Sequence, residues 1–252
     1  MSPWNSADGV PINTSSLTYL MEISLDEDNF RALGDFSKPG LEIMLVRSKI
    51  TSAGASCLAE ILGRNQGPTK LHNCAIDYCV LANGLRGNSR LKSLTPSIVS
   101  NRDLLAITGA LKENKGLVEL DLRHTILRDE PWDAICDSLK THPTIQVLNL
   151  RGVFVRSAED QLGSVVLKSR IQALVDMLKV NMSIHTIGLH PSYSRHELFR
   201  RSVTPYLATN RLRPRVRLAQ WRTVPRFWDE YVPILIAFGC FYQGILKLLF
   251  YR

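Results

Sequence analysis

This chain lacks the spacings on which most catalytic and metal chemistry depends. Its five cysteines (Cys57, Cys74, Cys79, Cys136 and Cys240) are scattered, with no C-x-x-C pair and no Cys/His cluster at ligand spacing. That excludes a zinc knuckle or ribbon and reads as buried, reduced thiols. No G-x-S-x-G, H-E-x-x-H or G-x-x-x-x-G-K-S/T occurs. The nucleophile elbow, the zinc-protease helix and the phosphate loop are excluded with them. Six histidines (His72, His124, His142, His185, His190 and His196) belong to no Ser-His-Asp or Cys-His order and read as surface or turn residues. The glycines of "ANGLRGNSR", Gly84 and Gly87, follow no apolar strand of the right kind, so the stretch reads as a loop and not as a phosphate cradle. No catalytic residue, metal or cofactor is assigned, and the chain is expected not to be an enzyme.

A secretory leader is also missing. "MSPWNSADGVPINTSSLTYLMEISLDED" has no basic stretch followed by an apolar one. A reducing, cytoplasmic compartment is therefore expected. Charge of one sign is absent from most of the chain. The net charge is +8. Between Arg195 and Arg226 stand nine Arg, no Lys and one acid, Glu197, and the remainder balances. The basicity is local and calls for a local explanation.

What is present is a period. "GLVELDLRHT" spaces Leu117, Leu120 and Leu122 as L-x-x-L-x-L, and "TIQVLNLRGV" repeats it 28 residues on with Ile145, Leu148 and Leu150. Ile184, Ile187 and Leu189 follow after a further 39 residues, and Leu91 and Leu94 precede by 26. "LEIMLVRSKI" and "KLHNCAID" supply weaker copies through Ile43, Leu45, Ile50, Leu71, Cys74 and Ile76. Between these runs the apolar period changes from 2 to 3.6, as in "TSAGASCLAEILGRN", "RDLLAITGALKENKG", "RDEPWDAICDSLKTHP" and "RIQALVDMLKVNMS". Each unit reads as a short strand, a turn and a helix. One unit cannot bury its apolar face alone, whereas stacked neighbours can.

"ITSAGASCLAEIL", "LVELDLRHTIL" and "IQVLNLRGVFV" resemble the leucine-rich repeats of the ribonuclease-inhibitor-like class, and the resemblance covers about residues 41–210. It implies an α/β solenoid, a horseshoe with parallel strands on the concave face and helices on the convex face. It also implies an asparagine after each strand, tying the turns together; here Ser48, Thr125 and Val153 stand at those positions. Residues 1–40 form an N-terminal cap or extension, with "LTYLMEISLDEDNF" as strand and turn. Residues 211–230 form an Arg-rich linker, and 231–252 an apolar C-terminal helix.

In such a stack, the residues between and after the strand leucines face outward in rows. These are Ser93, Glu119, Val147 and Thr186; then Thr95, Asp121, Asn149 and Gly188; then Ser97, Arg123, Arg151 and His190. A protein partner is expected on this face, contacting Glu119, Asp121, Arg123, Asn149, Arg151 and His190. The resemblance also leaves open a regulator of an enzyme, such as a ribonuclease or a small GTPase. Arg211, Arg213, Arg215, Arg217 and Arg222 form a basic patch interleaved with Trp221, Phe227 and Trp228. No nucleic-acid fold surrounds it, which argues against a nucleic-acid partner and leaves a solvated linker or a lipid surface. "VPILIAFGCFYQGILKLLF" (232–250) is close to the about 20 apolar residues that a membrane span needs. Its Lys247, Gln243 and interior glycines favour a cap or surface association, so a tail-anchored protein is the alternative.

Overall fold

The computed structural model describes residues 12–14, 17–32, 42–97, 100–123, 125, 129–151, 163–189 and 197–212. The leucine spacing becomes the sheet. Strands β1 (Ile12–Thr14), β2 (Leu17–Met21), β4 (Glu42–Val46), β6 (Lys70–Cys74), β7 (Ser93–Pro96), β8 (Glu119–Asp121), β9 (Val147–Asn149) and β10 (Thr186–Gly188) lie side by side in chain order. β1 is antiparallel to β2, and every later pairing in the sheet is parallel. Parallel neighbours need a crossover, and a helix supplies it. These helices are α2 (Ser52–Gly63), α3 (Tyr78–Leu85), α4 (Asn101–Leu111), α5 (Asp129–Lys140) and α6 (Gly163–Val180), each packed on the next. After β10 come α7 (Glu197–Ser202) and α8 (Thr204–Leu212). The molecule is thus α/β, with helices alternating with the strands of a mostly parallel sheet.

Residues 17–32, expected to precede the repeats as strand and turn, supply β2, the short strand β3 (Ser24–Leu25) and α1 (Glu27–Ala32). β3 pairs in parallel with β5 (Lys49–Ile50), and α1 packs on α2. This segment therefore adds one more strand and one more helix to the same two layers.

The core runs between the layers. Leu20, Leu45, Leu71, Leu94, Leu120 and Leu148 point into it from successive strands and are buried, as are Leu117, Leu122, Ile145, Leu150 and Ile184. The helices answer with Leu58, Leu62, Leu81, Leu104, Ile107, Trp132, Leu139, Leu174 and Leu178. Their starts are capped. Thr51 accepts from Gly54 N (3.1 Å), and Asp77 accepts from Cys79 N and Val80 N (3.0 and 3.2 Å). Ser100 and Asp103 exchange bonds as a capping box. α3 contains Asn83 and Gly84, so "ANGLRGNSR" begins inside a helix, and the loop expected there starts only after Leu85.

The turns are tied by a polar column placed elsewhere than expected. It stands after α3, α4, α5 and α6, three residues before the next inward leucine or isoleucine. Asn88, Asn114, His142 and Asn181 occupy it, and Asn210, inside α8, makes the asparagines' donor bonds to the turn before it; all five are buried. Asn88 Nδ2 donates to Leu62 O (2.8 Å), while its Oδ1 accepts from Leu91 N (2.7 Å). Asn181 Nδ2 donates to Leu139 O and His142 O (2.6 and 3.1 Å), and its Oδ1 accepts from Ser183 N and Ile184 N (2.9 and 2.8 Å). Asn210 Nδ2 donates to Asn181 O and Ile184 O (3.1 and 2.8 Å). Each side chain satisfies backbone groups that burial would otherwise leave unpaired. Of the positions expected to do this, Ser48 donates to Val46 O (3.1 Å), the buried Thr125 hydroxyl has no partner, and Val153 lies outside the described residues.

Among the described residues, no helix is long and apolar enough to cross a membrane. The run 232–250, and with it the expected cap or membrane-associated helix, lies outside the described residues.

Candidate functional site

Side chains alternate along a strand, so the residues between the buried leucines lie on the face turned away from the helices. The register aligns Tyr19, Met44, Lys70, Ser93, Glu119, Val147 and Thr186 in one row across seven parallel strands. All seven are partly exposed. Two residues further along, Met21, Val46, His72 and Thr95 form a second row, which Asp121, Asn149 and Gly188 continue. The part of each row from β7 onward follows the alignment that the leucine spacing predicts.

The expected partner-facing residues differ in what they offer. Glu119 is half-buried and accepts from Ser93 Oγ (2.9 Å). The Asp121 carboxylate is 1% exposed. Arg123 folds back over it, with Nε donating at 2.8 Å, the backbone N at 3.0 Å and Nη2 closing an ion pair. Asn149 Nδ2 reaches the same carboxylate at 3.4 Å, and its Oδ1 accepts from Arg151 N (3.2 Å). Arg151 is exposed. The expected ladder of Arg beside an acidic pair is therefore partly internal: Arg123 neutralises a buried Asp121, and Arg151 is left to solvent. Ser97, expected in the third row, turns its hydroxyl to Cys74 O (2.9 Å). His190 lies outside the described residues.

Because Asp121 is buried, removing its counter-ion has a structural cost. Arg123→Ala is expected to lower stability by about 1–2 kcal/mol, less than for a fully buried pair because Arg123 is one-third exposed. Urea unfolding checks this, and an unchanged midpoint would mean that the pair contributes nothing.

The N-terminal quarter of the face was not foreseen from the sequence. Tyr19, Met21, Met44 and Val46 form a two-by-two block of apolar side chains on β2 and β4, with Met21 42% exposed. The available signal was Leu20, a core leucine one unit length upstream of Leu45. Beside the block, His72 Nδ1 lies 3.1 Å from Thr95 Oγ1. Burial, with Arg123 next, holds its imidazole below the ordinary value, so it is neutral at pH 7.

On the helix side, Asp77, Cys79 and Asp103 bring ligand atoms within 4.8 Å of one another. Asp77 and Asp103 are helix caps, and the Cys79 thiol donates to Asp103 Oδ1 (3.5 Å). Burial and Asp103 raise the thiol above its ordinary range, which removes thiolate character. Local hydrogen bonding accounts for the group. In the basic patch, Arg211 is exposed and donates from Nε to His185 O (2.9 Å); Arg213, Arg215, Arg217 and Arg222 lie outside the described residues.

No family model matches the chain, and no curated protein matches it. Twenty-six chains of solved structures do. Among them is leiomodin-1 actin-binding site 2 (ABS2), similar with a TM-score of 0.50 and 18% identity, over 62% of this chain and 89% of that one. At that identity the likeness is one of fold.

Proposed function

We propose that the chain is a leucine-rich repeat protein of the ribonuclease-inhibitor-like class and that it is a non-catalytic scaffold, binding a partner protein on its open strand face. The observation that carries this reading is the continuous row from Tyr19 to Thr186, partly exposed on every strand while the leucine that follows it on β2, β4, β6, β7, β8 and β9 is buried. Strands lie about 4.8 Å apart, whereas packed helices need 8–10 Å. Stacking the two layers on one another bends the sheet inward and makes the strand face the concave side of a horseshoe. A rigid surface of this kind lets a partner bind without paying to order it. The Tyr19–Met44 block supplies apolar anchors, and Lys70 and Arg151 supply charge near it and at the far end.

A photoreactive amino acid placed at Val147, on the row, and at Ser56, outward on α2, tests the face in native lysate. A discrete adduct at Val147, absent at Ser56 and lost when Lys70→Glu and Glu119→Lys are added, is the expected result. Equal labelling from both positions, or none from Val147, would remove the open face as the binding surface. Purified actin is the first defined protein to offer the Val147 probe, because one structural neighbour is an actin-binding site. Labelled actin would identify the partner, and unlabelled actin would discard that choice.

A further inference from the structure

One residue in the buried column differs in kind. We propose that His142 is an acid-sensitive joint: proton uptake by its ring unties the turn between α5 and β9 and loosens the units that follow.

The geometry defines the joint. His142 is 3% exposed and takes the place that Asn88, Asn114 and Asn181 take in their own turns. Its Nδ1 accepts from Thr144 N (3.4 Å) and Ile145 N (3.3 Å). The acceptor role fixes Nδ1 as the bare nitrogen and puts the single ring proton on Nε2. That Nε2 is buried and has no hydrogen-bond partner. An asparagine at this point would donate from Nδ2 to the preceding turn, as Asn114 does to Leu85 O and Asn88 O (2.5 and 2.7 Å). His142 thus performs half of the column's task. The turn that follows also hangs on it, since Asn181 Nδ2 and Ser183 Oγ donate to His142 O (3.1 and 3.0 Å).

A second proton would make Nδ1 a donor facing two backbone N–H groups. All bonds from the ring to its own turn would be lost together, with a charge left in the core. The charged groups at the adjacent ends of the flanking elements give no compensation. These are Lys112 and Glu113 just after α4, Asp137 and Lys140 in the last turn of α5, Asp176 and Lys179 in the last turns of α6, and His185 in the next turn. Lys112 and Lys140 both hold Asp137 (3.6 and 3.3 Å), and Lys179 holds Asp176 (3.0 Å). Burial accordingly lowers the imidazole to about 4.

The direction follows from linkage. In the unfolded chain the ring titrates near the ordinary 6.5. Above that value both states are neutral and the full stability is present. As pH falls through 6.5 the unfolded chain takes the proton first, and stability declines until the folded ring also protonates near 4. The folding constant is expected to fall about 20-fold between pH 7 and pH 5 through this residue alone.

Urea unfolding of the full chain and of His142→Asn, from pH 7 to pH 5, tests the joint. The variant is expected to equal or exceed the parent at pH 7, and its advantage to grow about 20-fold by pH 5. Parallel pH profiles, or a variant weaker than the parent at every pH, would overturn the proposal. A second measurement uses the parent protein and does not depend on the variant folding. Nitrogen-15 NMR of the ring should show the Nε2–H form with no titration above pH 5. Titration near 6.5, or the Nδ1–H form, would overturn it equally.

Discussion

Asn114→Ala is expected to remove about 3–5 kcal/mol of folding free energy, enough to unfold a marginal domain. The side chain is 2% exposed and makes four bonds. Nδ2 donates to Leu85 O (2.5 Å) and Asn88 O (2.7 Å), and Oδ1 accepts from Gly116 N and Leu117 N (2.9 Å each). Alanine deletes every partner at once. Asn88 O and two amides are then stranded in a core that excludes water, while Leu85 O keeps only its bond from Asn88 N (3.2 Å), and each orphaned group costs about 1–3 kcal/mol before relaxation recovers part of it. The loss also spreads along the chain, because Leu85 and Asn88 belong to the preceding turn and Gly116 and Leu117 to the segment that leads into β8. Asn114→Asp keeps both acceptor bonds, loses both donor bonds and buries a charge, so it should be no better. Urea unfolding followed by far-ultraviolet circular dichroism measures both variants. A loss under about 1 kcal/mol for the alanine variant would show that the column ties nothing together.

The column illustrates what is legible in the sequence and what is not. The apolar period is legible because every unit repeats the same burial: Leu117, Leu120 and Leu122 recur as Ile145, Leu148 and Leu150, and all six are buried. Alternation then places Glu119 and Val147 side by side on the other face, as the register has them. Asn88, Asn114 and Asn181 are equally regular, each three residues ahead of a buried Leu91, Leu117 or Ile184. They escape a reading that looks for the tie after the strand, where Ser48 and Thr125 stand, and His142 and the long step before Asn181 break the series. Charge availability is not legible at all. Arg123 and Asp121 both alternate outward, and only the fold-back of a long guanidinium over a carboxylate two residues away turns the acid into a buried group. The apolar block of Tyr19, Met21, Met44 and Val46 is hidden because Leu17 and Leu20 keep the spacing but Glu22 stands where its third apolar residue should be.

Gly84 misleads for a related reason, and it supports the second large prediction. Glycine beside asparagine signals a loop, and in isolation Gly costs a helix about 1 kcal/mol relative to alanine. On propensity, Gly84→Ala should therefore stabilise α3. The packing argues the opposite. A Cβ at Gly84 would lie 2.2 Å from Ala59 O and 2.8 Å from Ala59 C and Cα. All three are backbone atoms of α2, so no side-chain rotation relieves the clash, and the two helices must move apart. Gly84→Ala is expected to destabilise the chain by about 3 kcal/mol net of the propensity gain. Gly109 in α4 serves as the control, because a Cβ there meets nothing within 4 Å. Gly109→Ala should stabilise by about 0.5–1 kcal/mol. Opposite shifts of the urea midpoint in the two variants are the expected outcome, and a stabilising Gly84→Ala would show that α2 and α3 are not in close contact. The contact also bears on the open face. Helices are wider than strands are spaced, so every ångström by which Gly84 lets α3 approach α2 flattens the sheet beneath them. Widening that gap should bend β4 and β6 toward each other and bring Met44 nearer Lys70, reshaping the open face without touching a residue on it.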